Sequence, residues 1–88
     1  MITEIAEKIE VGAIFRRGLT RPVWFIWNHH KYPVKAVSYQ WSEKKGETLF
    51  YYFQVVADCG VFEISLNSET LSWFLEKAHD EYAASYGV

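Results

Sequence analysis

The chain carries one cysteine, Cys59, in 88 residues, so no intramolecular disulfide can staple it. Two prolines and five glycines are too few, and too scattered, for a linker or low-complexity segment. No apolar run exceeds five residues, the length of Val23–Trp27, against the roughly 20 that a membrane-spanning helix needs. The acidic start Met1-Ile2-Thr3-Glu4 leads into no apolar stretch of the signal-peptide kind, so a soluble cytoplasmic protein without a membrane partner is expected. Catalytic spacings are missing as well. There is no CxxC, HxxxH, GxSxG or Gly-rich phosphate loop, and no carboxylate pair at a recognisable spacing.

What remains is aromatic and apolar. Phe, Trp and Tyr make up 18% of the residues, hydrophobic residues 50% and charged residues 23%. That is the balance of a folded domain, and 88 residues leave room for one core. A chain this short buries only about 60–65% of its unfolded surface. Large rings, each removing about 150–250 Å² from water, make such a core efficient.

Charge is divided along the chain. Residues 1–45 hold eight Lys/Arg against four acids, a net +4, and residues 46–88 hold one Lys against seven acids, a net −6. Between Arg16 and Gln40 there is no acid. Two arrangements are open: a basic face for an anionic partner, or basic and acidic halves folded beside each other.

The organising stretch is Arg21–Trp41, RPVWFIWNHHKYPVKAVSYQW. Before it, residues 1–7 are expected to fray. Ile9, Val11, Ala13 and Phe15 then alternate with Lys8, Glu10 and Arg16, the period of a strand. Gly18 ends it, Leu19–Pro22 connects, and Pro22, lacking an amide donor, suits the first position of the next strand. Val23–Trp27 is apolar on both faces, Trp24 and Ile26 on one and Val23, Phe25 and Trp27 on the other. Asn28-His29-His30-Lys31 reads as a tight turn. In the third strand, Tyr32–Trp41, the apolar parity switches, which predicts a bulge near Lys35-Ala36. Ser42–Glu47 reads as a polar loop, Thr48–Ala57 as a central strand and Asp58-Cys59-Gly60 as a hairpin turn. In the fifth strand Phe62, Ile64 and Leu66 point inward, with Glu63 and Ser65 outward. Leu71–Tyr82 fits either a strand or a helical stripe. Residues 80–88 are expected to form either a short C-terminal helical turn packed on the barrel or a frayed tail. Together these elements predict an all-β fold, five to six antiparallel strands in a meander that forms a small twisted barrel or half-barrel.

The pattern Pro22-x-x-Phe25-x-Trp27, a turn, Tyr32-x-Val34-x-x-Val37-x-x-x-Trp41, then Phe62-Glu63-Ile64 and Thr70-x-x-Trp73-x-Leu75 resembles a class of small bacterial β domains of unknown function. Some are associated with Y-family-polymerase cassettes for DNA-damage tolerance. The resemblance covers Val11 to Asp80 and implies a strand for Leu71–Ala78. It implies no activity, cofactor or catalytic residue. Where that class often has Gly-Arg before the third strand, this chain has His29-His30-Lys31.

Chemistry-bearing residues are sparse. His29, His30, His79 and Cys59 lack metal-ligand spacing, and adjacent histidines at a strand end point apart. Cys59 has the negatively charged Asp58 beside it, not a histidine or cation that would activate a thiolate. No catalytic residue, metal, cofactor or small-molecule substrate is indicated. The expected function is therefore a non-enzymatic interaction module that binds a protein partner or itself, as a homodimer for instance. Exposed Trp, Tyr and Arg are what interface centres are made of. The alternative is single-stranded nucleic-acid binding, with DNA repair as its setting, by base stacking along a basic groove. Against it stands a pI of about 5.9. The candidate surface for either is Arg16, Arg17, Arg21, Trp24, Trp27, His29, His30, Lys31, Tyr32 and Lys35.

Overall fold

The computed structural model describes residues 2–79, and among these every regular element is a β-strand. Seven strands run in chain order: β1 (Ile2–Arg16), β2 (Leu19–Trp27), β3 (His30–Pro33), β4 (Ala36–Lys45), β5 (Thr48–Ala57), β6 (Gly60–Asn67) and β7 (Trp73–His79). They form one antiparallel sheet in the order β3-β2-β1-β7-β6-β5-β4. The all-β expectation holds, with seven strands in place of five or six. The expected C-terminal helical turn lies outside the described residues. No helix among them is long and apolar enough to cross a membrane.

Two strands change partner midway, and this curls the sheet. Residues 2–9 of β1 pair with β7 and residues 10–16 with β2. The end expected to fray is thus a paired strand, Ile2 lying opposite His79. A bulge between Glu4 and Glu7, with Ala6 at φ 56°, bends it. The segment read as one third strand is likewise two, β3 against β2 and β4 against β5. At the crossing, Val34 N–H donates to Val23 O (2.9 Å) and Lys35 N–H to Val56 O (2.7 Å). The parity switch seen in the sequence is this change of partner, followed by a bulge at Ser38. β4 continues through Ser42–Lys45, leaving only Gly46-Glu47 as turn. β5 lies next to the sheet edge, not at its centre.

The core is the concave face. Phe25, Phe53, Val55, Ala57, Phe62, Ile64, Leu66, Trp73 and Leu75 are buried together. Phe25 of β2 meets Phe62 of β6 edge-on, ring centres 5.2 Å apart, although β1 and β7 separate those strands in the sheet. The sheet therefore curls into a half-barrel whose two sides are joined by backbone hydrogen bonds, among the described residues, only through Val34-Lys35.

The convex face is partly covered too. Trp41 stacks on Tyr52 (5.2 Å, 7°) and leans on Tyr39 (5.3 Å). Beneath this layer Ser65, expected to face solvent, is fully buried, and its hydroxyl donates to Glu76 Oε2 (2.6 Å). Ser65 does point outward, but its cross-strand neighbours Tyr52 and Phe74 close over it.

Candidate interaction surface

β1 and β2 form a two-stranded arm beyond the reach of β7. Its tip is Arg17-Gly18, both at positive φ (51° and 77°), the two-residue turn whose twist suits a hairpin. The stretch read as a connector, Leu19–Pro22, is the start of β2. Pro22 sits inside the strand, buried, where the register skips Val23; a bulge is one of the few strand sites that tolerate a missing N–H.

Below that bulge Ile14 pairs with Arg21 and Arg16 with Leu19. Cross-strand partners share a face, so these four side chains stand together on the convex side. With Arg17 they line a depression of about 230 Å³. Phe15 stands on the other face of the arm, opposite Thr20. Leu19 is 69% exposed, Phe15 64% and Ile14 40%. Among the described residues Arg16, Arg17 and Arg21 have no ion-pair partner. The sequence reading placed Arg16, Arg17 and Arg21 on the surface but missed Ile14, Phe15 and Leu19. Phe15 has the inward parity of Ile9, Val11 and Ala13, yet it lies past the end of the core.

The other candidates lie elsewhere. Trp24 is on the convex face, half-buried. Its indole lies flat over Gly12: a Cβ built at Gly12 would come 2.1 Å from Cε2 of Trp24. Lys31 Nζ lies over the ring at 4.6 Å from its centre, a cation–π contact. Trp27 and Tyr32 turn inward against the core. Tyr32 stacks on Phe25 (4.9 Å, 10°), and Trp27 Nε1 donates to Glu7 Oε1 (3.3 Å). His29 and His30 are exposed near the Asn28-His29 turn. Lys35 Nζ pairs with Asp58 at 2.9 Å. The ten residues therefore do not form one face. Arg16, Arg17 and Arg21 lie at one end of β2 and His29, His30 and Lys31 at the other, and nine strand residues span roughly 30 Å.

At the histidine end the half-barrel opens on a cavity of about 320 Å³ lined by Ile5, Trp27, Tyr32, Cys59, Phe62 and His79, among others. Burial raises the Tyr32 hydroxyl above its ordinary value, and the Cys59 thiol adds to this. His79 Nε2 is buried there without a hydrogen-bond partner among the described residues. Among the described residues no group of three or more His, Cys, Asp or Glu is placed to hold a metal. On the far side of the sheet Lys45 Nζ sits 5.5 Å from the ring centres of both Phe50 and Tyr52. A hydrogen bond that the Lys45 ammonium donates to the Tyr52 hydroxyl oxygen is the main cause that raises its pKa.

Set beside protein-family models, curated proteins and solved structures, the chain matches none, so the resemblance described above rests on its residue pattern alone.

Proposed function

We propose that this chain is a non-enzymatic interaction module that binds a protein, a partner or a copy of itself, through the β1–β2 arm. One observation carries the reading: three guanidinium groups without ion-pair partners among the described residues surround the exposed Ile14 and Leu19 on the convex side of the arm, and Phe15 is exposed on its other face. Exposed apolar side chains are common singly, but contiguous ones rimmed by charge mark contact sites. Arginine and aromatic rings are the residues that interface centres favour.

The test is site-specific photo-crosslinking with benzoylphenylalanine in place of Phe15, using the purified protein and lysate of its native cells. An adduct of defined mass is expected at Phe15, absent when the probe replaces exposed Glu69, and lost in Arg16→Glu/Arg21→Glu. Equal adducts at both positions, or none at Phe15, refute the reading.

A second reading uses the same arm. Phe15, 64% exposed, beside Arg16 and Arg17, is a stacking ring next to phosphate-binding cations, and the resemblance to damage-tolerance domains suggests DNA repair as the setting. It predicts binding to oligo(dT) that weakens steeply with salt and again in Arg16→Ala/Arg17→Ala. Absence of binding at about 50 mM salt excludes it.

A further inference from the structure

The wall of the half-barrel is incomplete between β2 and β4. β3 covers β2 only along Trp24–Trp27, and Val34 adds one bond at Val23. Along Leu19–Pro22, β2 has β1 on one side and, among the described residues, no backbone partner on the other. β4 is the last strand of the sheet. It pairs with β5 along its whole length, and its other edge carries no backbone bond among the described residues. The two bare edges border one depression of about 180 Å³, far above the 10–15 Å³ or so that a single water needs. Leu19 and Thr20 line it from β2, Gln40 from β4, and Tyr51 and Phe53 from the floor of β5.

We propose that this slot receives an extended acidic segment of a partner protein, with apolar side chains at alternate positions, as an added strand against β4. The inference rests on the interaction-module reading and gives the partner its chemistry. A bare strand edge is a template for main-chain pairing. An added strand presents every second side chain to the floor, where Tyr51 and Phe53 are apolar. The remaining side chains meet cations. Arg16, Arg17 and Arg21 stand on one bank without an acid among them, and on the other Lys44 and Lys45 outnumber Glu43. A second copy's β4 would bring Lys44 and Lys45 towards those same arginines. An acidic strand brings the opposite charge.

The probe is a fluorescein-labelled peptide of about ten residues alternating Val and Glu, measured by anisotropy with the full chain. Controls are the same peptide N-methylated at alternate residues, which keeps its charge but loses backbone donors, and a Val-Lys peptide. The slot is closed in Thr20→Cys/Gln40→Cys on a Cys59→Ser background by a short bis-maleimide. The Val-Glu peptide is expected to bind saturably. Affinity should fall at least about tenfold for either control and on bridging, and it should weaken as salt shortens the Debye length from about 10 Å at 0.1 M to about 3 Å at 1 M. Amides of Tyr39–Ser42 should exchange more slowly in the complex. No binding, equal binding of the N-methylated peptide, or binding indifferent to the bridge overturns the proposal. So does a dimer that the peptide fails to dissolve. If the unbridged protein forms the Phe15 adduct but does not bind the Val-Glu peptide, the slot is refuted and the arm reading stands. Loss of the Phe15 adduct from unbridged protein refutes the arm reading itself.

Discussion

Gly12 offers a test in which two physical effects predict opposite signs. Its φ is not among the positive ones, so an alanine can adopt the same backbone. Gly→Ala at such a site ordinarily stabilises by about 0.4–1 kcal/mol, through the unfolded chain. Here the added Cβ would stand 2.1 Å from Cε2, 2.3 Å from Nε1 and 2.5 Å from Cζ2 of Trp24. The indole must therefore leave its seat. Trp24 is half-buried; losing half of the roughly 200 Å² that a large aromatic buries, at about 25 cal/mol/Å², costs about 2.5 kcal/mol. Losing the Lys31 contact adds about 0.5–1 kcal/mol. Gly12→Ala is therefore expected to destabilise by about 2 kcal/mol net, lowering Tm by roughly 8–16 °C for a domain of this size. Urea titration followed by tryptophan fluorescence and circular dichroism measures it, and the Trp24→Ala background isolates the cause. There Gly12→Ala should become neutral or stabilising, a coupling of about 2–3 kcal/mol. An unchanged or raised midpoint in the single variant would refute the notch argument.

Three further outcomes follow from contacts elsewhere. Asn28 and His29 both hold positive φ (53° and 66°), where a side chain is strained, so His29→Gly should stabilise by about 0.5–1 kcal/mol, read by thermal unfolding. Ser65→Ala removes the donor to Glu76 under the Tyr52 layer and should cost about 1–2 kcal/mol in urea, while Glu76→Gln, which keeps an acceptor, should cost less. The folded chain holds the Tyr32 proton more tightly than the unfolded chain does. Unfolding therefore releases that proton once pH passes the ordinary phenol value of about 10, so stability present below that pH falls above it. Tyr32→Phe should flatten this alkaline loss in unfolding curves recorded from pH 8 upward.

Local patterns were legible along much of β5 and β6, whose partners are their chain neighbours. β5 runs from Thr48 to Ala57 as the apolar run predicts, and Phe62, Ile64 and Leu66 are buried on β6 by simple alternation. Elements whose partners are distant were not. Nothing near residues 2–8 announces β7, so a paired strand reads as a fraying end. The third strand's parity switch was visible, but a bulge and a change of partner leave the same trace in sequence. Ser65 is small and polar; only the register with Tyr52 and Phe74 shows that it is covered. The candidate surface divides in the same way. The acid-free stretch from Arg16 to Gln40 is plain in the sequence, but which cations are engaged depends on neighbours across strands. Lys31 finds Trp24 and Lys35 finds Asp58, while among the described residues the three arginines on the arm find neither an acid nor a ring.

The β1–β7 ladder also sets a schedule for synthesis. Ile2 finds its neighbour only when His79 exists. At about 5–20 residues per second, the interval between β1 and β7 leaving the ribosome is roughly 4–15 s, longer than many small domains need to fold. Until β6 and β7 have both emerged, the first hairpin exists without the strands that complete the core around Phe25, Val11 and Ala13. A nascent chain therefore displays its apolar interior for seconds, which makes the period before β7 emerges the time when chaperone holding matters most.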